Sequence, residues 1–311
     1  MPHHIVALTD KEAAADIAAA DSFHSEALIC KSSGQKEAEM LNIVVLLKQT
    51  FDTEEKITVT SAGIDESEVK YVINPYDEYA LEEALRQREQ HGGHITVITC
   101  GAERSQEALR TALAVGADEA IRLDNAELPD DSFVVAAALT AIIEPLRPDL
   151  LLAGLFSVDN GAGSVALQIA ERLKLPHASS AIKLSVIGAN ELDAEISSSA
   201  ERYAVVERDV EGDTETVSIP LPALITAQQG LNEPRYPSLP GIMKAKRKPL
   251  RTILLDELDL KSGAGAQAAL RTIRTELLPP PARKAGIQLK GTPQEQASTL
   301  VSLLKSEVKV L

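Results

Sequence analysis

The sequence of 311 residues contains no tryptophan, and aromatic residues make up only 3% of it. Because aromatic side chains are so few, the core has to be aliphatic, which suits Val, Ile and Leu strands covered by Ala-rich helices. The two cysteines, Cys30 and Cys100, provide no disulfide framework, and no cysteine–histidine cluster has metal-ligand spacing. We therefore expect no metal site and a reducing, cytoplasmic setting.

Long apolar runs are missing as well. No run approaches the roughly 20 residues that a helix needs to cross a bilayer. The N-terminus also lacks the basic start and apolar core of a secretory signal. The sequence therefore predicts no direct insertion into a membrane.

Positive charge is outnumbered: 31 Lys and Arg stand against 46 Asp and Glu, which gives a net charge of −15. A large negative charge repels phosphate backbones, so we expect no binding of nucleic acid. Residues 241–311 differ, with 13 Lys and Arg against 6 Asp and Glu. A basic tail on an acidic body is typical of a segment that docks on another protein.

The first 39 residues lack a strong apolar period, whereas LNIVVLLKQ, directly after Met40, is the kind of run that forms a buried first strand. One codon choice for Lys36-Glu37-Ala38 spells a purine-rich ribosome-binding sequence just upstream of Met40. We hypothesise that translation begins at Met40 and that residues 1–39 are a start-site artefact or a loose extension. The alternative is a genuine but disordered arm.

Beyond residue 40, apolar strands alternate with amphipathic helices. The predicted strands cover residues 42–48, 94–99, 120–123 and 150–153, and the predicted helices cover 79–90, 105–115, 132–146 and 165–173. Such alternation favours a parallel sheet with helices on both faces. We predict an α/β domain over residues 40–240, with a doubly wound, Rossmann-like, mostly parallel sheet of the adenine-nucleotide-binding type.

After Ala178 the apolar period changes to two, which predicts strands joined by turns. These strands cover residues 182–186, 193–199, 203–208, 215–219 and 223–226 and suggest an antiparallel extension. Residues 241–311 form a C-terminal arm with predicted helices at 267–277 and at 293–308, the latter capped by Thr292. These helices have little core of their own, so we expect the arm to pack on a partner subunit.

Open α/β sheets bind ligands where the loops after their strands converge. Candidate loops follow the strands near Lys48, at residues 74–77, at Cys100 and at residues 154–165. In the last of these, GLFSVDNGAGSV, Gly161 and Gly163 allow close backbone approach, and the helix that follows offers free N–H groups to an anion.

Each candidate also has a purely structural interpretation. A Gly-rich turn between strand and helix is an ordinary turn about as often as a phosphate cradle. Asn74 and Pro75 fit a turn that caps the next helix, and Cys100 is more often a small buried residue than a nucleophile. The six histidines and the many carboxylates form no catalytic pattern, so we predict no catalytic residues.

Residues 230–249 carry prolines and glycines that argue against a regular element, together with apolar residues that a surface loop rarely needs. A rigid loop with exposed apolar side chains usually contacts a partner. The alternative is a linker that packs on its own domain.

Four segments carry a family resemblance. They are VINPYDEYALEEALR at 72–86, LRTALAVGADEA at 109–120, VERDVEGDTETVSIPLPALIT at 206–226 and LNEPRYPSLPGIMKAKRKPL at 231–250. In this order they resemble the β subunit of electron transfer flavoproteins from residue 40 to about residue 260. The resemblance implies a heterodimer with an α subunit that holds most of the FAD, while the β subunit buries a structural AMP.

The resemblance also assigns residues. AMP is implied to contact Leu46, Asn74, Pro75, Tyr76, Asp77, Cys100, Gly154, Asp159, Asn160, Gly161, Ala162, Gly163, Ser164 and Val165. The recognition loop for partner dehydrogenases is implied at Leu231, Asn232, Glu233, Pro234, Arg235 and Tyr236, with Leu231 as the anchoring side chain. Asp209 stands where many relatives have a Glu that is linked to the orientation of the flavin domain; the alternative is that Asp209 is a solvated turn residue.

The implied function is an electron carrier rather than an enzyme. It would take electrons from acyl-CoA dehydrogenases of fatty acid β-oxidation and deliver them to a membrane quinone oxidoreductase. One alternative is a bifurcating flavoprotein with FAD in place of AMP, but its D-G-D-T-A-Q loop pattern differs from residues 159–164, which have Gly161 at the second Asp and Gly163 at the Ala. Ser164 in place of the usual Gln removes one amide from the phosphate loop. The other is a free-standing adenine-nucleotide sensor, which would need neither the recognition loop nor the arm.

Overall fold

The computed structural model describes residues 40–60, 63–67, 69–192, 200–258, 260, 270–278 and 286–308. Residues 1–39 and the strand predicted at 193–199 lie outside the described residues. The chain forms two compact units: the described residues up to 57 and from 66 to 275, and those at 58–65 and beyond 275.

The strands are β1 (Leu41–Leu46), β2 (Gln49–Phe51), β3 (Val59–Thr60), β4 (Gly63–Ile64), β5 (Tyr71–Ile73), β6 (Gly93–Cys100), β7 (Glu119–Leu123), β8 (Leu150–Gly154), β9 (His177–Gly188), β10 (Arg202–Val210), β11 (Asp213–Pro220), β12 (Ala223–Ala227) and β13 (Leu250–Ile253). The α-helices are α1 (Pro75–His91), α2 (Gln106–Val115), α3 (Ser132–Ile143), α4 (Ser164–Leu173), α5 (Leu239–Ala245) and α6 (Pro293–Leu303).

The first unit is built on a sheet that, among the described residues, has nine strands in the order β11-β10-β9-β12-β8-β1-β6-β7-β13. From β9 to β13 neighbouring strands are parallel, whereas β10 pairs antiparallel with both β9 and β11. The predicted parallel sheet is confirmed, as is an antiparallel extension made by β10 and β11. The strand predicted at 223–226 as part of that extension is instead β12, which pairs parallel with both β8 and β9. The chain order reverses between β1 and β8, which makes their carboxyl ends the topological switch point of the sheet.

Strand β1 shows why both faces of the sheet are covered. Successive side chains of a strand point to opposite faces, and the run LNIVVL places apolar side chains on both. Leu41, Ile43 and Val45 pack in the same cluster as residues of α1 and α2, whereas Val44 and Leu46 pack with α3 and α4. The doubly wound arrangement is therefore confirmed.

The structure corrects the prediction that residues 230–249 form no regular element, because they contain α5. Pro240 lies in the first turn of α5, where a missing N–H costs nothing. The Ser238 hydroxyl accepts the Gly241 N–H at 3.1 Å. A side chain at Gly241 would collide with the carbonyl oxygen of Ala114. The proline and the glycine thus permit a helix that packs closely on α2.

The helix predicted at residues 267–277 is wrong over its described part. Residues 270–277 form no helix, and residues 267–269 lie outside the described residues. The backbone N–H groups of Arg271 and Thr272 instead donate to the carboxylate of Asp131, at 3.1 and 2.6 Å. A tertiary contact has overridden the local helix propensity.

The first unit continues past residue 240, where the sequence placed a domain boundary. Leu250 and Ile253 of β13 align with Ala120 and Leu123 of β7 in parallel register. The Lys- and Arg-rich residues before β13 hid this edge strand in the sequence. Among the described residues, no helix is long and apolar enough to cross a bilayer.

In the second unit, α6 begins as predicted. The Thr292 hydroxyl accepts the Glu295 N–H at 3.4 Å, and the Glu295 carboxylate accepts the Thr292 N–H at 2.7 Å. This reciprocal pair is a capping box. Residues 304–308 continue the helix as a π-helical turn, so the predicted helix at 293–308 and its Thr292 cap are confirmed.

Candidate functional site

A cavity of about 350 Å³ lies at the carboxyl ends of β1, β6 and β8, beside the switch point. Its lining residues are Leu46, Leu47, Lys48, Asn74, Asp77, Ile98, Cys100, Asn125, Leu128, Pro129, Asp130, Asp131, Ser132, Val135, Leu139, Ala153, Gly154, Phe156, Ser157, Asn160, Ala162, Gly163, Val165 and Ala166. A cavity of this size suits a small organic ligand.

Most of the residues assigned to AMP come together here. Those that line the cavity are Leu46, Asn74, Asp77, Cys100, Gly154, Asn160, Ala162, Gly163 and Val165, while Pro75, Tyr76, Asp159, Gly161 and Ser164 do not. Of the latter, Tyr76 packs its ring on that of Phe156, with centroids 4.4 Å apart, and so supports the cavity lining.

One wall of the cavity was missed by sequence reasoning. It is the connection from β7 to α3, at residues 125–132, together with Val135 and Leu139 of α3. A signal for it existed, because β7 is parallel to β6 and its carboxyl end reaches the same edge of the sheet.

Asp77 joins three elements at the base of the cavity. Its carboxylate accepts the Lys48 N–H at 2.7 Å and the Gly154 N–H at 3.0 Å, so the start of α1 is tied to the ends of β1 and β8. Burial raises the pKa of Asp77 to about 7, although both N–H donors favour the charged form. A side chain at Gly154 would lie 2.7 Å from Tyr76 Cβ, so this glycine is required for packing.

Asn74 precedes α1 and is buried, but its side chain does not cap the helix. Its Nδ2 donates to the Phe156 carbonyl at 2.9 Å, and its Oδ1 accepts the Val158 N–H at 3.1 Å. The interpretation of Asn74 as a helix-capping turn is therefore wrong for the side chain. Asn74 holds the Gly-rich loop against the start of α1.

The Gly-rich loop at residues 154–165 is held by its own polar groups. Asn160 Oδ1 accepts the Ser157 hydroxyl at 2.6 Å and the Ala162 N–H at 3.0 Å. Gly163 immediately precedes α4 and has no side chain to cap it. The first N–H groups of α4 therefore have no cap from Gly163, and an uncapped helix start suits an anion.

Lys48 supplies positive charge beside this loop. Its ammonium contacts the Asp159 carboxylate at 2.7 Å and the Ser157 hydroxyl at 3.4 Å. The pairing neutralises the one carboxylate within the Gly-rich loop. In the isolated chain Asp159 therefore pairs with Lys48 and does not line the cavity.

Apolar side chains complete the lining, among them Leu46, Leu128 and Leu139. Cys100 lies among them at the end of β6, and burial raises the pKa of its thiol to about 12. A thiol that stays protonated is a poor nucleophile, which agrees with Cys100 as a small packing residue. Among the described residues, no cluster of His, Cys, Asp or Glu could hold a metal ion.

The recognition loop (residues 231–236) is fixed on α1 by two buried carboxylates. Arg235 donates to Glu82 through Nε at 2.8 Å and through Nη2 at 3.0 Å, and to the more exposed Glu89 through Nη1 at 2.6 Å. Asn232 donates to Glu83 at 3.1 Å and to the Tyr79 carbonyl at 3.0 Å. Both polar side chains therefore position the loop within the chain.

The apolar residues of this region divide into buried and exposed ones. Leu231 is only 8% exposed and packs in the core cluster beside α1. Tyr236, Leu239 and Met243 are 94%, 78% and 70% exposed, and we call these three the apolar patch. In the isolated chain the patch, rather than Leu231, is available to a partner.

The remaining assigned residues lie on the surface or at its edge. Glu233 is exposed and Pro234 is half-buried. Asp209 is exposed near the end of β10, where the Gln228 amide donates to it at 3.5 Å. The ladder between β10 and β9 is irregular at Glu207 and Arg208, just before Asp209.

Comparison with protein families gives one match, to the electron transfer flavoprotein domain, over residues 61–258. Individual relatives extend the similarity over most of the chain. The electron transfer flavoprotein subunit beta of Bacillus subtilis (strain 168) is 47% identical over 274 residues, which cover 87% of this chain and 100% of the relative.

More distant relatives carry the same description. The electron transfer flavoprotein subunit beta of Syntrophomonas wolfei is 36% identical over 271 residues, covering 87% of this chain and 98% of the relative. The mitochondrial electron transfer flavoprotein subunit beta of Oryza sativa subsp. japonica is 33% identical over 279 residues, covering 87% of this chain and 100% of the relative.

Proposed function

The chain belongs to the electron transfer flavoprotein family as a β subunit, and we propose that it pairs with an α subunit, buries a structural AMP and completes the environment of an FAD held mostly by that subunit. The observation that carries the proposal is the cavity at the switch point, lined by a Gly-rich loop, a helix start and apolar side chains. The FAD, when bound, supplies the redox chemistry, and this chain supplies scaffold, docking surface and flavin environment.

The chemistry of the cavity fits AMP. The phosphate would lie against the start of α4, after Gly163, where free N–H groups and the helix dipole favour an anion. The Lys48 ammonium, which pairs with Asp159 in the isolated chain, lies at the same loop. The adenine ring would pack among apolar side chains such as Leu46 and Leu139.

The residues of the Gly-rich loop favour the ordinary carrier over the bifurcating type. Gly161 and Gly163 stand where the D-G-D-T-A-Q pattern of the bifurcating type has its second Asp and its Ala. A cavity of about 350 Å³ accommodates one nucleotide.

Docking of partner dehydrogenases would use the apolar patch. Tyr236 protrudes from the recognition loop, whose Arg235 side chain is held on α1, and Leu239 protrudes from the start of α5. They are therefore presented to a partner at little cost in conformational entropy. We propose that acyl-CoA dehydrogenases of fatty acid β-oxidation reduce the flavin from this side. A membrane quinone oxidoreductase would then re-oxidise it.

The test is electron transfer by the full-length chain purified with its α subunit. Under anaerobic conditions, an acyl-CoA dehydrogenase and its substrate should bleach the flavin absorbance, and a quinone oxidoreductase should restore it. Omission of the dehydrogenase is the control and should leave the flavin oxidised. Rapid bleaching by NADH without any dehydrogenase would contradict the proposal and indicate the bifurcating type.

A further inference from the structure

Asp131 links the wall of the cavity to the C-terminal arm. It lines the cavity, is only 2% exposed and precedes α3. One carboxylate oxygen accepts the N–H groups of Phe133 at 2.8 Å and Val134 at 3.0 Å, which caps α3. The second oxygen accepts two N–H groups of the arm and the Thr272 hydroxyl, the latter at 2.6 Å.

Neighbouring contacts hold the same stretch of the arm, residues 271–274, which we call the arm segment. The Arg271 guanidinium lies 4.0 Å from the centre of the Phe133 ring, in a cation–π contact. Arg274 pairs with the exposed Asp130 carboxylate at 2.7 Å. The arm segment is thus held on the cavity wall and on the first turn of α3 by hydrogen bonds, an ion pair and a ring contact.

Resting on the proposed function, we propose that Asp131 is a positioning residue for the nucleotide: it fastens the arm segment to the cavity wall, so that attachment of the arm and retention of AMP stabilise each other. The wall at residues 125–131 has no helix or strand of its own. Its position therefore depends on side-chain contacts, and Asp131 makes the ones that join it to both α3 and the arm.

The sign of the coupling follows from linkage. If attachment of the arm favours the wall position that encloses the nucleotide, bound nucleotide must favour attachment of the arm by the same factor. The Thr272 hydroxyl, followed by N–H donors, keeps the pKa of Asp131 well below its ordinary value. The contact therefore keeps its charge at neutral pH.

Two substitutions separate this role from simple helix capping. Asp131→Asn keeps one oxygen that can cap α3, because Asn is a good N-cap residue, but it places an NH2 group opposite the donors of the arm segment. Thr272→Val removes only the arm hydroxyl and leaves the cap intact. Thr275→Val makes the same change at an exposed position further along the arm and is the matched control.

The experiment uses the full-length chain in complex with its α subunit. The rate of AMP release after dilution is measured, together with hydrogen exchange at the backbone N–H groups of residues 271 and 272. We expect Asp131→Asn to release AMP about fivefold faster, Thr272→Val less so and Thr275→Val at the wild-type rate. Added AMP should slow exchange at these two groups in the wild type but not in Asp131→Asn.

The outcomes that overturn the inference are distinct from those that overturn the proposed function. If wild-type complex contains AMP and both Asp131→Asn and Thr272→Val release it at the wild-type rate, Asp131 is only a structural cap. If added AMP does not change hydrogen exchange at residues 271 and 272 in the wild type, Asp131 is likewise only a structural cap. A wild-type complex that contains no AMP contradicts the proposed function, and this inference with it.

Discussion

The cavity and the recognition loop are organised by the same helix, α1, but through different interactions. At the cavity, Asp77 at the start of α1 accepts backbone N–H groups from the ends of β1 and β8. At the recognition loop, Glu82 and Glu83 in the middle of α1 hold the side chains of Arg235 and Asn232. The cavity is therefore held by side chains that bond backbone groups, and the loop mainly by bonds between side chains.

This difference has consequences for how each region tolerates change. At the buried switch point an added atom must displace a neighbouring helix or strand, because protein interiors are close-packed, and the cavity then changes shape. A loop held by several side-chain pairs loses position gradually as single pairs are removed, because the remaining pairs still hold it. Substitutions at the cavity should therefore cost more than substitutions at the loop.

The largest effect is expected from Gly154→Ala. The added Cβ would lie 2.7 Å from Tyr76 Cβ and 2.8 Å from the Asp77 nitrogen, so the start of α1 must move. We expect the complex to lose AMP and its free energy of unfolding to fall by about 3 kcal/mol. Nucleotide content and denaturant unfolding measure the two effects.

Gly161→Ala is the control for Gly154→Ala in the same loop. An added Cβ there meets no atom within 4 Å, but the φ of 69° disfavours an alanine. We expect a loss of about 1 kcal/mol with AMP retained. Equal losses of AMP in both variants would show that the loop, and not the packing of α1 at Gly154, sets the cavity.

The next effect is a pH dependence that arises from Asp77. Its pKa is raised to about 7 in the folded chain, so the folded state binds the proton more tightly than the unfolded state. The contribution to stability is therefore greatest at low pH and is lost as pH rises through 7. Between pH 5 and pH 8 this loss should lower the free energy of unfolding by about 2 kcal/mol.

Asp77→Asn isolates this contribution, because an amide does not titrate. Denaturant unfolding of both proteins at several pH values gives the difference between their curves. If the two free energies of unfolding change in parallel from pH 5 to pH 8, Asp77 is not the titrating group.

Leu231 of the recognition loop is buried and Leu239 of the apolar patch is exposed, so the two separate stability from docking. Leu231→Ala removes a buried side chain and should cost about 2 kcal/mol of stability. Leu239→Ala removes an exposed side chain and should change stability by less than about 0.5 kcal/mol, yet slow flavin reduction by a dehydrogenase. Denaturant unfolding measures the stability of both variants, and stopped-flow absorbance measures the rate of flavin reduction. If only Leu231→Ala slows flavin reduction, Leu231 and not Leu239 is the docking residue.

A smaller stability effect than that of Asp77 is expected from Glu82→Gln. It removes the charge that holds Arg235, but the guanidinium keeps Glu89 and reaches water, so the cost should be about 1 kcal/mol. Dehydrogenase docking should weaken severalfold while AMP content stays unchanged. Glu89→Gln, at the exposed end of the same network, should do less. Loss of AMP from Glu82→Gln would show that the two ends of α1 are not independent.

The cavity could be predicted from the sequence better than the loop, for a physical reason. Residues such as Leu46, Asn74 and Gly154 follow strands, and the ends of parallel strands meet at one edge of a sheet. The wall at residues 125–132 obeys the same rule but was missed because NAELPDD looks like an ordinary acidic loop. The importance of this wall comes from the contact between Asp131 and Thr272 of the arm, two residues that are 141 positions apart in the sequence.

The loop could not be predicted from local pattern alone. The Arg235–Glu82 pair joins positions 153 residues apart, and nothing in a single sequence connects them. The burial of Leu231 depends on this same packing. Residues 270–277 show the opposite error, because a local helical pattern was overridden by hydrogen bonds to Asp131.

The most direct test of the proposed function is the nucleotide content of the full-length chain purified with its α subunit. Ligands are released with acid, and FAD and AMP are quantified by chromatography. We expect one FAD and one AMP per heterodimer, with AMP lost selectively in Gly154→Ala. Two FAD and no AMP in the wild-type complex would contradict the proposal.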